Sequence, residues 1–243
     1  MGQEIKVLGL VLQAGNIGEY DKRIVLLTKE RGRISAFARG AKKATSPYAA
    51  ACQPFTFGTF SLYEGKNSFN VMWVQVDNYF KKLKEDLDSI YYASYFSEFA
   101  SYLTRENNDE MQVLKLLYQT LRALEKKTMP NELIRLVYEI KLMAVYGLGM
   151  EAFQCVRCGS KEHLVGFEPA EGGTVCASCG DGRFPAGPST IYALQFILYS
   201  PIERLYTFRV SREVQKELKK ITEAFLRVHI QHEFKSKIFL PQE

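Results

Sequence analysis

Two cysteine pairs, Cys155-Val156-Arg157-Cys158 and Cys176-Ala177-Ser178-Cys179, stand seventeen residues apart. A two-residue gap lets both thiolates of a pair face one ion, and the intervening stretch can bring the second pair round to complete a tetrahedron. Gly159 and Gly180 follow the pairs and supply the backbone freedom for a tight turn around a metal. The spacing favours one structural zinc, held by Cys155, Cys158, Cys176 and Cys179, over two disulfides or a duplicated redox pair. Four thiolates fill the coordination shell, so the expected ion leaves no position for water or substrate and serves structure. The fifth cysteine, Cys52, lies in an apolar stretch and reads as an inert buried thiol.

A second group concerns charge. Between Lys22 and Lys43 lie eight basic residues, Lys22, Arg23, Lys29, Arg31, Arg33, Arg39, Lys42 and Lys43, against the single acid Glu30, a net +7 over twenty-two residues. The whole chain of 243 residues carries only +5. Such a local excess is either a footprint for phosphates or a solvated strand face that ends up basic.

Catalytic constellations are hard to assemble. The chain has three histidines, His163, His229 and His232. His163 lies between the cysteine pairs, and His229 and His232 are three apart on an expected last helix, where they could share a face. There is no HExxH, GxSxG, Walker A loop or GxGxxG, and His163 is followed by Leu164-Val165 rather than by the glutamate of a zinc deaminase. An enzyme is not expected.

The elements that must hold these groups fall into three regions. Residues 1–78 read as β, with strands at Ile5–Leu12, Arg23–Thr28, Ile34–Arg39, Phe55–Tyr63 and Phe69–Val76. Turn signals at Gly15–Gly18, Glu30–Gly32, Ser46-Pro47 and Glu64–Asn67 separate them. Five strands in about eighty residues suggest a small closed barrel, with an OB-fold ahead of an SH3-like barrel of similar strand count. The basic run then crosses the second and third strands and enters the loop Arg39–Lys43. Phe37, Tyr48, Phe57, Tyr63, Phe69 and Trp73 are available for stacking on bases, although a barrel this small needs most of them as core. Phe69–Val74 is apolar on both strand faces, which suggests that one face packs on the helices.

Residues 79–151 and 185–243 read as one helical domain. Phe80, Leu83, Leu87, Ile90, Phe96, Phe99 and Leu103 trace one apolar stripe, and Asn107-Asn108-Asp109 caps a second helix. A third ends near Gly147 and Gly149, a short one stops at Ser200-Pro201, and Ser211 caps the last. The cysteine module, 152–184, is inserted into that domain. Hydrophobic content of 47% supports a core, no apolar run nears the ~20 residues of a spanning helix, and the start lacks a signal-peptide profile. The expected compartment is the cytoplasm, where reduced thiols favour metal binding.

Taken together, several segments give the chain a resemblance to the RecO family of bacterial DNA-repair proteins. They are Gly18-Glu19 with Asp21–Thr28, Gly32-Arg33-Ile34 leading into Ala38–Lys43, Gln53-Pro54-Phe55, the four-cysteine module, and Lys235–Leu240 near the end. Order and spacing match across nearly the whole chain. The resemblance implies an α+β architecture: an N-terminal OB-fold, a helical domain, and a zinc module that some members lack. It further implies binding of single- and double-stranded DNA, annealing of complementary strands coated by single-strand-binding protein, and cooperation with RecR in loading RecA, with no membrane and no small-molecule substrate as partner. In the cell this implies a nucleoid-associated cytoplasmic protein. Arg39, Lys42 and Lys43, with the preceding Arg23, Arg31 and Arg33, are the expected DNA contacts. Family members dock the acidic tail of single-strand-binding protein on the helical domain, which points to Arg204, Lys216, Lys219 and Lys220 on late helices, residues that equally fit a solubilising role. A rival reading from another class is a zinc-stapled adaptor whose barrel binds a protein rather than DNA.

Overall fold

The structure is a computed structural model that describes residues 2–66, 68–127, 129–180 and 182–241; the expected turn residue Asn67 lies outside them. Five strands, β1 (Gln3–Ile17), β2 (Asp21–Thr28), β3 (Gly32–Ala38), β4 (Phe57–Glu64) and β5 (Phe69–Asn78), form a closed barrel in the order β1-β2-β3-β5-β4. Closure comes from a parallel pairing of β3 with β5, Ala36 opposite Phe69 and Phe37 opposite Asn70, while every other ladder is antiparallel. Strand order and this parallel seam answer to the OB-fold expectation rather than to an SH3-like barrel. Strand alternation decides which side chains fill it. Ile24 and Leu26 of β2, Ile34, Ala36 and Ala38 of β3, and Phe60 and Leu62 of β4 point inward and are buried, leaving Arg23, Arg33 and Ser35 on the outer face.

The chain forms two compact units. The first joins the barrel to residues up to Lys126 and to the C-terminal segment from Phe234; the second runs from Lys127 to Glu233. Helices α1 (Leu87–Leu103) and α2 (Met111–Lys126) therefore share a unit with the barrel, whereas the reading of the sequence grouped residues from 79 onward with the later helices. Two sets of contacts explain the grouping. Tyr118 of α2 lies 4.5 Å from Phe57 of β4 and 5.5 Å from Phe80, ring centre to ring centre. The link between the helices also bonds to the β2–β3 turn: Arg33 donates its backbone N–H to Arg105 O (3.0 Å) and its Nε to Thr104 O (3.1 Å), and Asn107 N–H donates to Arg31 O (2.9 Å). At the far end of the chain, a short 3-10 turn, Lys235–Phe239, sits on α1. The Glu98 carboxylate accepts from the backbone N–H of Lys235 (3.0 Å) and of Ser236 (2.8 Å), and Phe239 stacks on Tyr91.

In the second unit, α3 (Asn131–Val145) is buried on nearly every side and stops at Gly147, whose φ of 83° a Cβ would strain. Its Arg135 is buried and satisfied on three sides, by Glu132 (2.6 Å), Glu139 (3.1 Å) and Glu223 of α5 (Arg212–His229; 3.1 Å). Removing one member would leave buried charge uncompensated, so the cluster ties α3 to α5 in one register. Glu217 of α5 meets the start of α4 (Pro188–Tyr199), accepting from Gly187 N–H (3.0 Å) and Thr190 Oγ1 (2.5 Å). A three-stranded sheet with β6 (Leu164–Glu168) between β7 (Gly173–Cys176) and β8 (Phe184–Pro185) joins the same unit, Phe167 packing edge-on against Phe225. Among the described residues, no helix is long and apolar enough to cross a membrane.

Gly32 is where the barrel and the helix link meet most closely. Its φ is +63°, and a Cβ would fall 2.2 Å from Arg105 O. Gly32→Ala should therefore cost about 2–4 kcal/mol of stability, from left-handed backbone strain and a backbone clash together. Urea unfolding checks this, and a loss below about 0.5 kcal/mol would show that the link yields at little cost.

Candidate metal centre and nucleic-acid interface

Cys155 and Cys158 lie on the loop that follows α3, Cys176 ends β7, and Cys179 closes a short 3-10 turn, Ala177–Cys179. Backbone bonds set the first pair: Cys155 N–H donates to Ser160 O (2.7 Å), Gly159 N–H donates back to Cys155 O (2.8 Å), and Gly159 takes a φ of 76°. Val156 N–H donates to Thr174 O (2.9 Å), which holds that loop along β7. Arg157 bridges the two pairs from outside, giving Nη1 to Cys179 O (2.7 Å) and Nε and Nη2 to the Glu171 carboxylate (3.0 and 2.8 Å).

The four Sγ atoms all lie within 4.8 Å of one another, and those of Cys158 and Cys176 are 3.6 Å apart. Metal–sulfur bonds of 2.3 Å at tetrahedral angles put sulfurs about 3.8 Å apart. None of the five cysteines is in a disulfide, and the donor set fits one tetrahedral, thiophilic ion. The thiols already share protons unevenly. Burial works to raise the Cys155 pKa, but backbone N–H groups of Cys176, Arg157 and Cys158 outweigh it and bring that thiol down to about 6. Hydrogen bonds to Cys158 and Cys176, with burial behind them, push Cys179 up to about 12. A cation bound by all four sulfurs displaces the protons that the thiols carry. His163 adds no ligand atom to this group; its backbone carbonyl accepts from Ala177 N–H (2.9 Å) at a φ of 52°. Nor do His229 and His232 share a helical face: α5 ends at His229, whose ring lies against Phe225 with Nε2 3.1 Å from Pro169 O. Cys52 is fully buried, and burial pushes its thiol up to about 11, as an inert core cysteine requires.

The basic segment separates into two groups along the barrel. Arg39, Lys42 and Lys43 are exposed on the loop that leaves β3. Two backbone ties pin this loop to the β1–β2 turn: Gly40 N–H donates to Asp21 Oδ1 (2.7 Å) and Lys42 N–H to Tyr20 O (2.9 Å). The Lys43 ammonium sits 5.1 Å above the exposed Tyr20 ring, and Lys42 Nζ reaches Gly18 O at 3.4 Å. Arg23, exposed on β2, donates Nη2 to Ser35 Oγ (3.0 Å). Arg31 and Arg33 are placed differently. Both are half-buried; Arg31 is paired with Glu64 at 2.7 Å, and Arg33 holds the end of α1 as described. Antiparallel pairing causes the separation, since Arg23 faces Phe37 while Arg33 faces Leu27, four residues or roughly 13 Å further along β2.

Of the late basic residues, Lys219 pairs with Glu132 (3.1 Å) and so belongs to the buried Arg135 cluster, while Arg204, Lys216 and Lys220 are exposed. Lys216 and Lys220 stand one turn apart on α5.

Trp73 is one of six barrel aromatics that the sequence offers for stacking, but its place on the outer face of β5 is not what the strand pattern predicts. The expected packing of one Phe69–Val74 face on helices is not what forms: Phe69 and Val71 are buried in the barrel, but Met72 and Trp73 are 53% and 51% exposed. A bulge is responsible. Val71 pairs with Leu62 and Trp73 with Ser61, so Met72 is the extra residue, and Val71 and Val74 both turn inward with two residues between them. Strict alternation would have hidden Trp73 beside Val71; in the sequence, only its unbroken apolar run hints at a bulge.

The chain matches the family described as Recombination protein O N terminal over residues 1–80 and Recombination protein O C terminal over residues 84–238. It is 30% identical to the DNA repair protein RecO of Thermoanaerobacter sp. (strain X514), over 97% of this chain and 96% of that protein. It is 31% identical to the DNA repair protein RecO of Bacillus pumilus, over 98% and 94%, and 30% identical to that of Bacillus subtilis, over the same shares.

If the thiolate cluster holds its unit together, stripping the metal from loaded protein should lower amide-exchange protection in β6, β7 and the adjoining helix α5 by at least about 100-fold, about 3 kcal/mol, with barrel strands little changed. Uniform protection before and after chelation would contradict that role.

Proposed function

This chain belongs to the RecO family and has a role in recombinational DNA repair, and from that premise we propose that it binds DNA through the loop-borne cations of its barrel and anneals complementary strands coated by single-strand-binding protein, assisting RecA loading together with RecR. The observation that carries this reading is the exposed cluster Arg39, Lys42 and Lys43, held in place by backbone ties to Asp21 and Tyr20 and opposed by no carboxylate ion pair there among the described residues. Annealing makes no covalent bond. It needs a cationic surface that lowers repulsion between two polyanions, releases their counterions and leaves base edges free to pair.

In this reading Arg23 extends the cationic surface along β2. Arg31 and Arg33 contribute less, because an arginine already paired with Glu64 or bonded to a helix carbonyl must give up that partner to meet a phosphate. The acidic tail of single-strand-binding protein is assigned to the exposed Arg204, Lys216 and Lys220; Lys219, paired with Glu132, is left out of that set. Zinc is the proposed ion of the cysteine cluster, since four thiolates suit it best and leave it no open position. The 1–78 barrel then acts as the DNA-binding part, and the later helices with the inserted 152–184 module act in docking.

Replacing Arg39, Lys42 and Lys43 together by Ala should flatten the dependence of log K on log salt by about 2 for single strands, since each phosphate contact contributes about 0.7. Arg31→Gln should move that slope by well under one contact. Titrations of a labelled oligonucleotide at several salt concentrations decide it: an unchanged slope in the triple variant contradicts the assignment.

A further inference from the structure

Trp73 is the one tryptophan of the chain, and it is half exposed on a barrel strand. Met72 and Trp73 are adjacent and both exposed where the bulge turns them outward, and bulges commonly re-aim side chains at functional positions. Its surroundings identify the occupant. Because β5 runs parallel to β3 from the Phe37–Asn70 pair, Trp73, three residues further on, is level with the point where the chain leaves β3 at Arg39-Gly40. A chain of bonds then fixes the cationic loop to the bulge. Ser46 N–H donates to Lys43 O (3.0 Å), Tyr48 N–H donates to Ser46 Oγ (3.2 Å), and the Tyr48 hydroxyl donates to Met72 O (2.8 Å). On the other side, the register runs from Trp73 to Ser61 to Lys6, an exposed cation two strands away, roughly 10 Å across the sheet. Glu4, the acid beside Ser61, accepts from the Ser61 hydroxyl at 2.5 Å.

We propose that Met72 and Trp73 form a platform on which a base of single-stranded DNA stacks, with the flanking phosphates carried by Lys6 on one side and by Arg39, Lys42 and Lys43 on the other. The proposal deepens the DNA-binding reading above and rests on it. An apolar ring between two sets of cations matches a single strand, whose bases are free and whose backbone is anionic. A duplex offers phosphates but keeps its bases stacked on one another. The loop cations therefore serve both forms of DNA, while Trp73 selects the single-stranded one, and releasing one base from the ring hands it to the complementary strand.

As the sole tryptophan, Trp73 reports on itself. Adding an oligothymidylate of about a dozen nucleotides to the full-length chain should quench its fluorescence and shield it from acrylamide, both reversed by salt. Trp73→Ala should weaken single-strand binding by roughly 5- to 100-fold, with the salt slope and duplex affinity unchanged, and Trp73→Phe should retain most of the affinity. A labelled strand that binds, by anisotropy, with no change in tryptophan emission or acrylamide access and equally well to Trp73→Ala would overturn the platform and leave the cationic loop standing. Failure of the wild-type chain to bind either form of DNA would instead defeat the underlying reading. Shielding of Trp73 by a partner protein but not by DNA would overturn the proposal and make this face a protein-docking one.

Discussion

Closure of the barrel rests on a short parallel seam, two residue pairs between β3 and β5. That seam turns five strands into a closed core around Leu26, Ile34, Phe60 and Leu62. It also sets what lies at each end. By holding β5 alongside β3, it brings the loop after β3 to the middle of β5, where Tyr48 bonds to Met72. Antiparallel partners elsewhere then send Arg23 toward the cationic end and Arg31 and Arg33 toward the end that meets the helix link. Whether a basic side chain stays exposed or is tied into the architecture follows from its position along these strands.

The cysteine cluster and the charged groups lie in different surroundings. The four cysteines sit in the second unit beside β6 and β7, with Arg157 latching their two loops, and as a set they could hold one metal ion. The Arg135 cluster is a fixed point of that unit, because buried ions must keep their partners. Such internal charges are satisfied and contribute nothing to an outside ligand. Exposed cations lie elsewhere: Arg204, Lys216 and Lys220 in the second unit, and Arg39, Lys42 and Lys43 on a barrel loop whose backbone is held while its side chains stay in water. Backbone order with side-chain freedom is what the proposed grip on a sliding polyanion requires.

Much of this was legible before any coordinates. The cysteine spacing is a geometric signature in itself, because two-residue gaps and following glycines leave few other uses for four thiols. Strand positions emerged from β-branched and aromatic runs between glycine-bearing turns, and Ser211 marked the last helix through its cap to Val214 N–H. What periodicity could not supply is the partner of an apolar stripe. Phe96 and Phe99 read as core material, yet nothing in their spacing says that α1 shares a unit with the barrel, or that Phe234 returns from the far end of the chain to pack on Phe99 at 4.5 Å. A run of basic residues likewise does not reveal that Glu64 and the Thr104 carbonyl occupy two of its arginines. The bulge at Met72 was hidden for the same reason: register is a property of strand pairs and cannot be seen in one strand alone.

The central claim is that a cationic barrel brings two strands together without chemistry of its own. The most direct test is an annealing time course with complementary strands precoated by single-strand-binding protein, followed at low and at physiological salt. Acceleration that depends on this chain and fades as salt rises is the predicted result. No acceleration at either salt, with the chain still bound to the coating protein, would contradict the account and leave an adaptor that recruits other proteins to the strands.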